Sequence, residues 1–410
     1  MKKISWQKNL LLLWLSQLAV MSGFSAMIPF VPLFIKEKYG IVETSELAFY
    51  VASFNFFGTL AYAVFCPIWG VLADRFGVKP MLLRGTFVTS WMFPLMAYVP
   101  SAGWLIFLRF MTAACAGTTA ASQVMIARNT PDDKQGFAQG VLTTAVWGGA
   151  MLGNVIGGFI IHYFSYTHAF WLCGILYIFA GLAVVFTQDD FSGQPRGADV
   201  HVVRLKNKIP FIPVFTRSVL LLLSLFLLLG TIRTIEAPYV ALKIEAVTGS
   251  ATAAYWTGIV SAIACVGAIL SGVVNGYLSD KLPPLKLIVP LLLWSSCALF
   301  LQGFSNNLIL FSFSRAMLYI AAGGLPPILQ KQLSAMTPKR KRGSVFGFSS
   351  AFNCCGGLLA AVIGGWCFSH ISLNGVFYVA AASFAGTVVF FYNGLKKALQ
   401  LSKQRVMKKQ

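Results

Sequence analysis

Charge is scarce in this sequence. Only 11% of its 410 residues are Asp, Glu, Lys or Arg, against about 25% in ordinary soluble domains, and just 12 of them are acids. The shortage removes whole classes of function. Without G-x-x-x-x-G-K-[ST] there is no loop to cradle a nucleotide phosphate, so a pump driven by hydrolysis is excluded. No nucleophile–base set and no metal-ligand cluster is present, so an enzyme, a metal site or a bound cofactor is not expected. The 4 histidines, His162, His168, His201 and His370, are scattered at segment ends or in a polar stretch. The 8 cysteines fall inside apolar segments with no C-x-x-C pair, which suits small polarizable packing residues better than disulfides.

Apolar residues are abundant: 57% are hydrophobic and the mean hydropathy is +0.73. Runs of about twenty apolar residues, enough to cross a hydrocarbon core of about 30 Å, recur along the chain. They predict twelve transmembrane helices, near 9–35, 47–72, 80–99, 103–127, 137–162 and 167–187, then 214–242, 254–279, 285–304, 307–330, 344–369 and 373–395. The first is read as a span, since no small-residue cleavage site follows it. The fold class is therefore an all-α membrane protein, and the lipid bilayer is an expected partner.

The net charge of +20 is distributed unevenly. If the N-terminus is cytoplasmic, 26 of the 32 Lys and Arg fall in cytoplasmic segments, and only Lys36, Lys38 and Lys243 in outer loops. This is the positive-inside asymmetry, which predicts both termini in the cytoplasm and argues against nucleic acid as the partner.

Gln188 to Pro210 is the longest hydrophilic stretch, and the halves on either side of it repeat each other. PFVPLFIKEKYG from Pro29 matches PYVALKIEAVTG from Pro238; Asp74 falls on Asp280 and Arg109 on Arg315; Gly149 and the NVIGG ending at Gly158 fall on Gly356 and the AVIGG ending at Gly365. The offset stays between 206 and 209 residues throughout. A duplicated six-helix unit follows, with parallel copies because each crosses the membrane an even number of times. The expected bundles are 1–187 and 214–395, joined by a linker at 188–213 and followed by a basic tail at 396–410. A substrate site is expected between the bundles near the midplane.

Short motifs sharpen this reading. GVLADRFGVKPMLL joins spans 2 and 3; Gly77 permits a positive φ for a tight reversal, and Pro80 suits the first turn of the next helix. Gly70, Leu72, Asp74, Arg75, Gly77 and Lys79 meet the pattern G-x-L-x-D-R-x-G-R-K, departing from it at Val78. Span 5 carries GAMLGNVIGG, with Asn154 where the pattern G-x-x-x-G-P-x-x-G-G has proline. On these residues the chain resembles a major facilitator superfamily transporter, and within it the twelve-span drug:proton antiporters. The resemblance implies that Asp74 bridges the two halves at the cytoplasmic side, with the start of span 11 after Lys339 to Arg342 as its partner. Arg75, Lys79 and Arg84 are nearer candidates for pairing with that acid. It also implies that Gly149, Gly153, Gly157 and Gly158 pack spans of the two halves together and associate with export. Arg109 matches an arginine linked in the family to proton transfer, although the usual Gln-Gly after it is replaced by Thr112 and Ala113.

Of the acids, only Glu236 lies within a span, about 28 Å along span 7 from Arg217 at 1.5 Å per residue. Arg233, three residues earlier, shares its helix face. Three roles are open to Glu236: a proton carrier, a static ion pair with Arg233, or a boundary residue in outside water. By analogy with the family, Phe24, Tyr50, Asn55, Trp147, Asn154, Tyr239, Tyr255, Trp256 and Asn353 are candidates for the cavity wall. The expected function is proton-coupled efflux of small amphipathic molecules or drugs by a monomer in the plasma (inner) membrane. The alternative is an exporter or importer of one metabolite, such as a sugar, siderophore or amino-acid derivative; a receptor or assembly protein on the same scaffold is a third.

Overall fold

The computed structural model describes residues 6–131, 135–188, 217–336 and 342–389, and every regular element among them is helical. Span 1 is a helix Trp6–Met27, a 3-10 turn Ile28–Phe30 and a second helix Val31–Tyr39. Span 2 is Thr44–Phe76, span 3 Val78–Met96, span 5 Gln135–Tyr163 and span 6 Tyr166–Val185. Span 4 is split into Ala102–Cys115 and Thr118–Asn129. The second series repeats the design. Span 7 is Arg217–Ile235, a turn Ala237–Tyr239 and Val240–Thr248. Span 8 is Ser250–Lys281, span 9 Pro284–Phe304, span 10 Leu308–Ala322 with Leu325–Met336, and span 11 Arg342–His370. Span 12 is described over Leu373–Val389.

Among the described residues, nine of these helices are long and apolar enough to cross a membrane. Spans 3, 10 and 12 complete the series of twelve. The linker expected at 188–213, apart from Gln188, and the tail expected at 396–410 lie outside the described residues.

The breaks recur at matched places because the same residues cause them. Proline has no N–H to donate and its ring crowds the preceding turn, so Pro29 and Pro238 each sit in a 3-10 turn inside spans 1 and 7. Gly117, with φ +110°, divides span 4, and Gly323 and Gly324 stand at the matching point of span 10. Between spans 2 and 3 the chain reverses on one residue. Gly77, at φ 96° and ψ 159°, ends one helix and starts the next. Asp74 and Arg75 therefore belong to the last turns of span 2 rather than to a loop. With 33 and 32 residues, spans 2 and 8 are about 50 Å long and outreach the hydrocarbon core.

The exterior is apolar: Ile309 is 83% exposed and Trp91 70%. Polar side chains such as Gln17, Glu236, Gln302 and Arg315 are buried instead. That inversion suits a surface solvated by lipid.

Glycines set the helix spacing. A Cβ on Gly149, Gly153 or Gly157 would lie 2.5, 2.2 or 2.2 Å from the carbonyl oxygens of Leu18, Ser22 and Ala26, so three of the span 5 glycines press on span 1 of their own half. Gly158 faces the other half: a Cβ there would meet Ala254 O of span 8 at 2.7 Å. A Cβ on Gly258 of span 8 would lie 2.4 Å from Asn154 O. The expectation that the whole glycine face joins the halves is corrected accordingly. The face is divided because residues 149, 153 and 157 repeat every four positions on one side, while 158 is turned about 100° away.

Candidate substrate cavity between the halves

A cavity of about 460 Å³ lies where the halves meet. Phe24, Asn55, Arg109, Trp147 and Asn154 line it from the first half, and Thr257, Arg315, Tyr319 and Asn353 from the second. Five of the aromatic and asparagine candidates thus line the same cavity. Tyr50, Tyr239, Tyr255 and Trp256 do not. Tyr239 is 1% exposed in the 3-10 turn of span 7, its ring 5.1 Å from that of Phe368. Tyr255 packs on His162 and on Trp256, at 5.6 and 5.3 Å, and Tyr50 on Phe49. Among so many aromatics, residue type carries no information about direction.

The second half holds a buried ion pair. Arg315 Nη1 of span 10 donates to Glu236 Oε2 at 2.7 Å and to Gln302 Oε1 of span 9 at 3.3 Å. The Arg315 and Glu236 side chains are 5% and 1% exposed. Arg233, the partner expected from helical spacing, makes no ion pair among the described residues. Glu236 keeps helical backbone angles, φ −88° and ψ −22°, but its carboxylate is taken by Arg315 from span 10. Arg233 and Glu236 instead both border a smaller adjoining cavity of about 360 Å³, which shares Trp147 and Tyr319 with the larger one.

Arg109 holds the equivalent place in the first half and has a different environment. Its guanidinium carbon is 5.3 Å from the ring centres of both Phe24 and Phe54. Gly58 makes room for it, since a Cβ there would lie 2.6 Å from Arg109 Nε. That Nε is buried and has no hydrogen-bond partner. At the repeat offsets, Glu236 and Gln302 correspond to Met27 and Met96, both fully buried. Neither can accept a strong hydrogen bond from a guanidinium.

Sequence reasoning noted Arg315 only as the mirror image of Arg109, and it missed Gln302 and Tyr319. A charge or amide in mid-span was the available signal for the first two, because such groups face a cavity or a partner.

Of the motif joining spans 2 and 3, Lys79 is placed clearly. Its Nζ donates to the carbonyls of Val185 and Thr187 at 2.6 and 2.8 Å, covering the C-terminal end of span 6, where a cation is favoured. Arg84 lies on the Trp69 ring, 3.2 Å from its centre, and donates to Ala116 O at 3.3 Å, so it is engaged away from Asp74. The side chains of Asp74 and Arg75, and most of the partner region expected at Lys339 to Arg342, lie outside the described part of the structure. On the opposite face, Lys36 Nζ of span 1 donates to both carboxylate oxygens of Glu245 in span 7, at 2.8 and 2.9 Å, tying one half to the other.

The chain has close relatives of known designation. It is 30% identical over 396 residues to the multi-drug resistance efflux pump PmrA of Streptococcus pneumoniae, covering 95% of this chain and 96% of that one. A PmrA homolog from Lactococcus lactis is 29% identical over 397 residues, covering 95% and 93%. The multidrug resistance protein MdtG of Escherichia coli is 25% identical over 400 residues, covering 96% of each. Among solved structures, a D-xylose-proton symporter superposes with a TM-score of 0.74 at 17% identity, over 94% of this chain and 97% of the other. The nucleoside transporter NupG gives 0.75 at 12%, over 94% and 99%. These two establish the fold. The Major Facilitator Superfamily model matches residues 13–286 and 237–406, nearly the whole sequence, and the chain is a member of that superfamily of transporters.

Proposed function

We propose that this protein exports small amphipathic molecules, drugs among them, in exchange for protons. In this reading it works as a monomer in the plasma (inner) membrane with both termini cytoplasmic. The bundles 1–187 and 214–395 rock about the cavity, exposing it to each side in turn. The Lys36–Glu245 face is then the outer one, and Asp74 belongs to the inner gate.

One observation carries the reading. A buried carboxylate, Glu236, is held by Arg315 in the wall of a space shared by both halves. Protonation weakens the pair and frees Arg315. The names of the efflux relatives support the drug-export part.

Cells expressing the protein, loaded with a fluorescent drug, test this. Export is expected to stop when an uncoupler collapses the proton gradient. At equal membrane abundance, Glu236→Gln is expected to abolish pH-driven export while leaving drug binding. Export that ignores the uncoupler, or coupling retained in the variant, refutes the proposal.

A further inference from the structure

We infer that Arg109 is an anion subsite of the cavity, so that the molecules taken include amphipathic acids, with a carboxylate or similar oxyanion at one end of an apolar body. The inference deepens the export reading and rests on it for its physiological setting.

The second half shows what an arginine with a counter-charge looks like on this scaffold. Arg315 has a carboxylate at 2.7 Å and an amide oxygen at 3.3 Å. Arg109 has buried methionines at both corresponding places, Met27 and Met96. Around it stand two aromatic faces, Phe24 and Phe54, with Tyr177 within electrostatic reach. These attract a cation without neutralising it. Its Nε is buried without an acceptor, as is that of Arg315, so the difference between the two is the missing counter-charge; Arg109 lines the larger cavity.

A planar guanidinium presents a fork of N–H donors that matches a carboxylate with two parallel bonds. Charge balance points the same way. The charged side chains bordering the two adjoining cavities are Arg109, Arg233, Arg315 and Glu236, three positive against one negative. An acid offsets that surplus, whereas a lipophilic cation adds to it. Phe24, Trp147 and Tyr319 offer surfaces for the apolar body, and about 460 Å³ falls within the range of drug-sized pockets.

The test uses the full chain in lipid nanodiscs and the fluorescence anisotropy of two dyes: a rhodamine with a free carboxylate, and its methyl ester. The native protein is expected to bind the acid about tenfold more tightly than the ester, or about 1.4 kcal/mol. Arg109→Met is expected to remove that preference by weakening acid binding, while binding of the ester, a cation, stays the same or tightens. Met27→Glu keeps Arg109 but supplies the carboxylate that its counterpart already has, and is expected to remove the preference as well. Thermal unfolding reports whether each variant is folded. Equal or tighter binding of the ester by the native protein overturns the inference. So does a folded Arg109→Met variant that keeps the preference or loses both dyes alike. Binding needs no gradient, so a protein that prefers the acid yet exports nothing would sink the export reading and leave the subsite standing.

Discussion

The two halves of this protein share one plan and differ most where charge is buried. At matched positions in spans 4 and 10 stand Arg109 and Arg315. The second is neutralised by Glu236 and steadied by Gln302, while the first half has the buried methionines Met27 and Met96 at the matching positions. Duplication kept the helices, the proline turns and the glycine contacts, which are constraints of packing. It did not keep the counter-charge. A buried arginine on an insertion scale costs about 3 kcal/mol. Retaining one without a carboxylate is physically sensible if the cavity, or something that enters it, supplies the compensation.

The largest expected effect comes from making the halves alike. Glu236→Met copies the first half into the second and strands Arg315; breaking a buried pair in this way costs about 3–5 kcal/mol, read as a fall in the thermal unfolding midpoint and loss of export. Adding Arg315→Leu removes the stranded charge. That double variant is expected to recover most of the stability while export stays absent, which separates the structural use of the pair from the transport use. Stability lost equally in the single and double variants would show that the pair matters only for packing.

Next in size is a contrast at the glycine faces. Gly153 presses on Ser22 O, but its counterpart in span 11 is Ala360. Gly153→Ala therefore brings the second half's residue into a tighter gap, 2.2 Å from backbone, at about 1–3 kcal/mol of overpacking. A milder test would be Gly365→Ala, whose Cβ meets the Ala52 Cβ at 2.7 Å across the boundary between halves, and whose effect is expected on transport rate more than on stability. Unaltered stability in Gly153→Ala would mean that spans 1 and 5 separate easily.

The smallest effect is expected at Lys36–Glu245. The side chains are 34% and 14% exposed, and a pair in contact with water is worth about 0–1 kcal/mol. Lys36→Met should barely move the unfolding midpoint. It should instead increase labelling of a cysteine placed on the cavity wall by a membrane-impermeant reagent added outside.

Much of this architecture was legible beforehand. The reversal at Gly77 and the constant repeat offset follow from local chemistry, and local chemistry is written in the sequence; the turn at Pro29 was not expected, since 9–35 reads as one unbroken apolar run. Phe24, Asn55, Trp147, Asn154 and Asn353 line the cavity, and analogy with the family, not residue pattern, had put them forward. The partner of Glu236 was not found. Arg233 is three residues away and Arg315 is 79, and spacing along one helix says nothing of a partner that another helix brings in. Tyr50, Tyr239 and Tyr255 were misplaced for a related reason. In a chain with 35 Phe, 13 Tyr and 10 Trp, aromatic rings face lipid, core and cavity alike.

Relative motion of the two halves is the point on which the account turns, and one crosslink addresses it. With Lys36→Cys and Glu245→Cys, a bifunctional thiosulfonate crosslinker, which bonds to thiols through reducible disulfides, can join spans 1 and 7 across the boundary between halves; the unsubstituted chain, with its own cysteines, serves as the control. Crosslinking is expected to halt drug export in the double variant alone, and a reductant to restore it. Full export with the two halves verifiably bonded at that face would contradict the account.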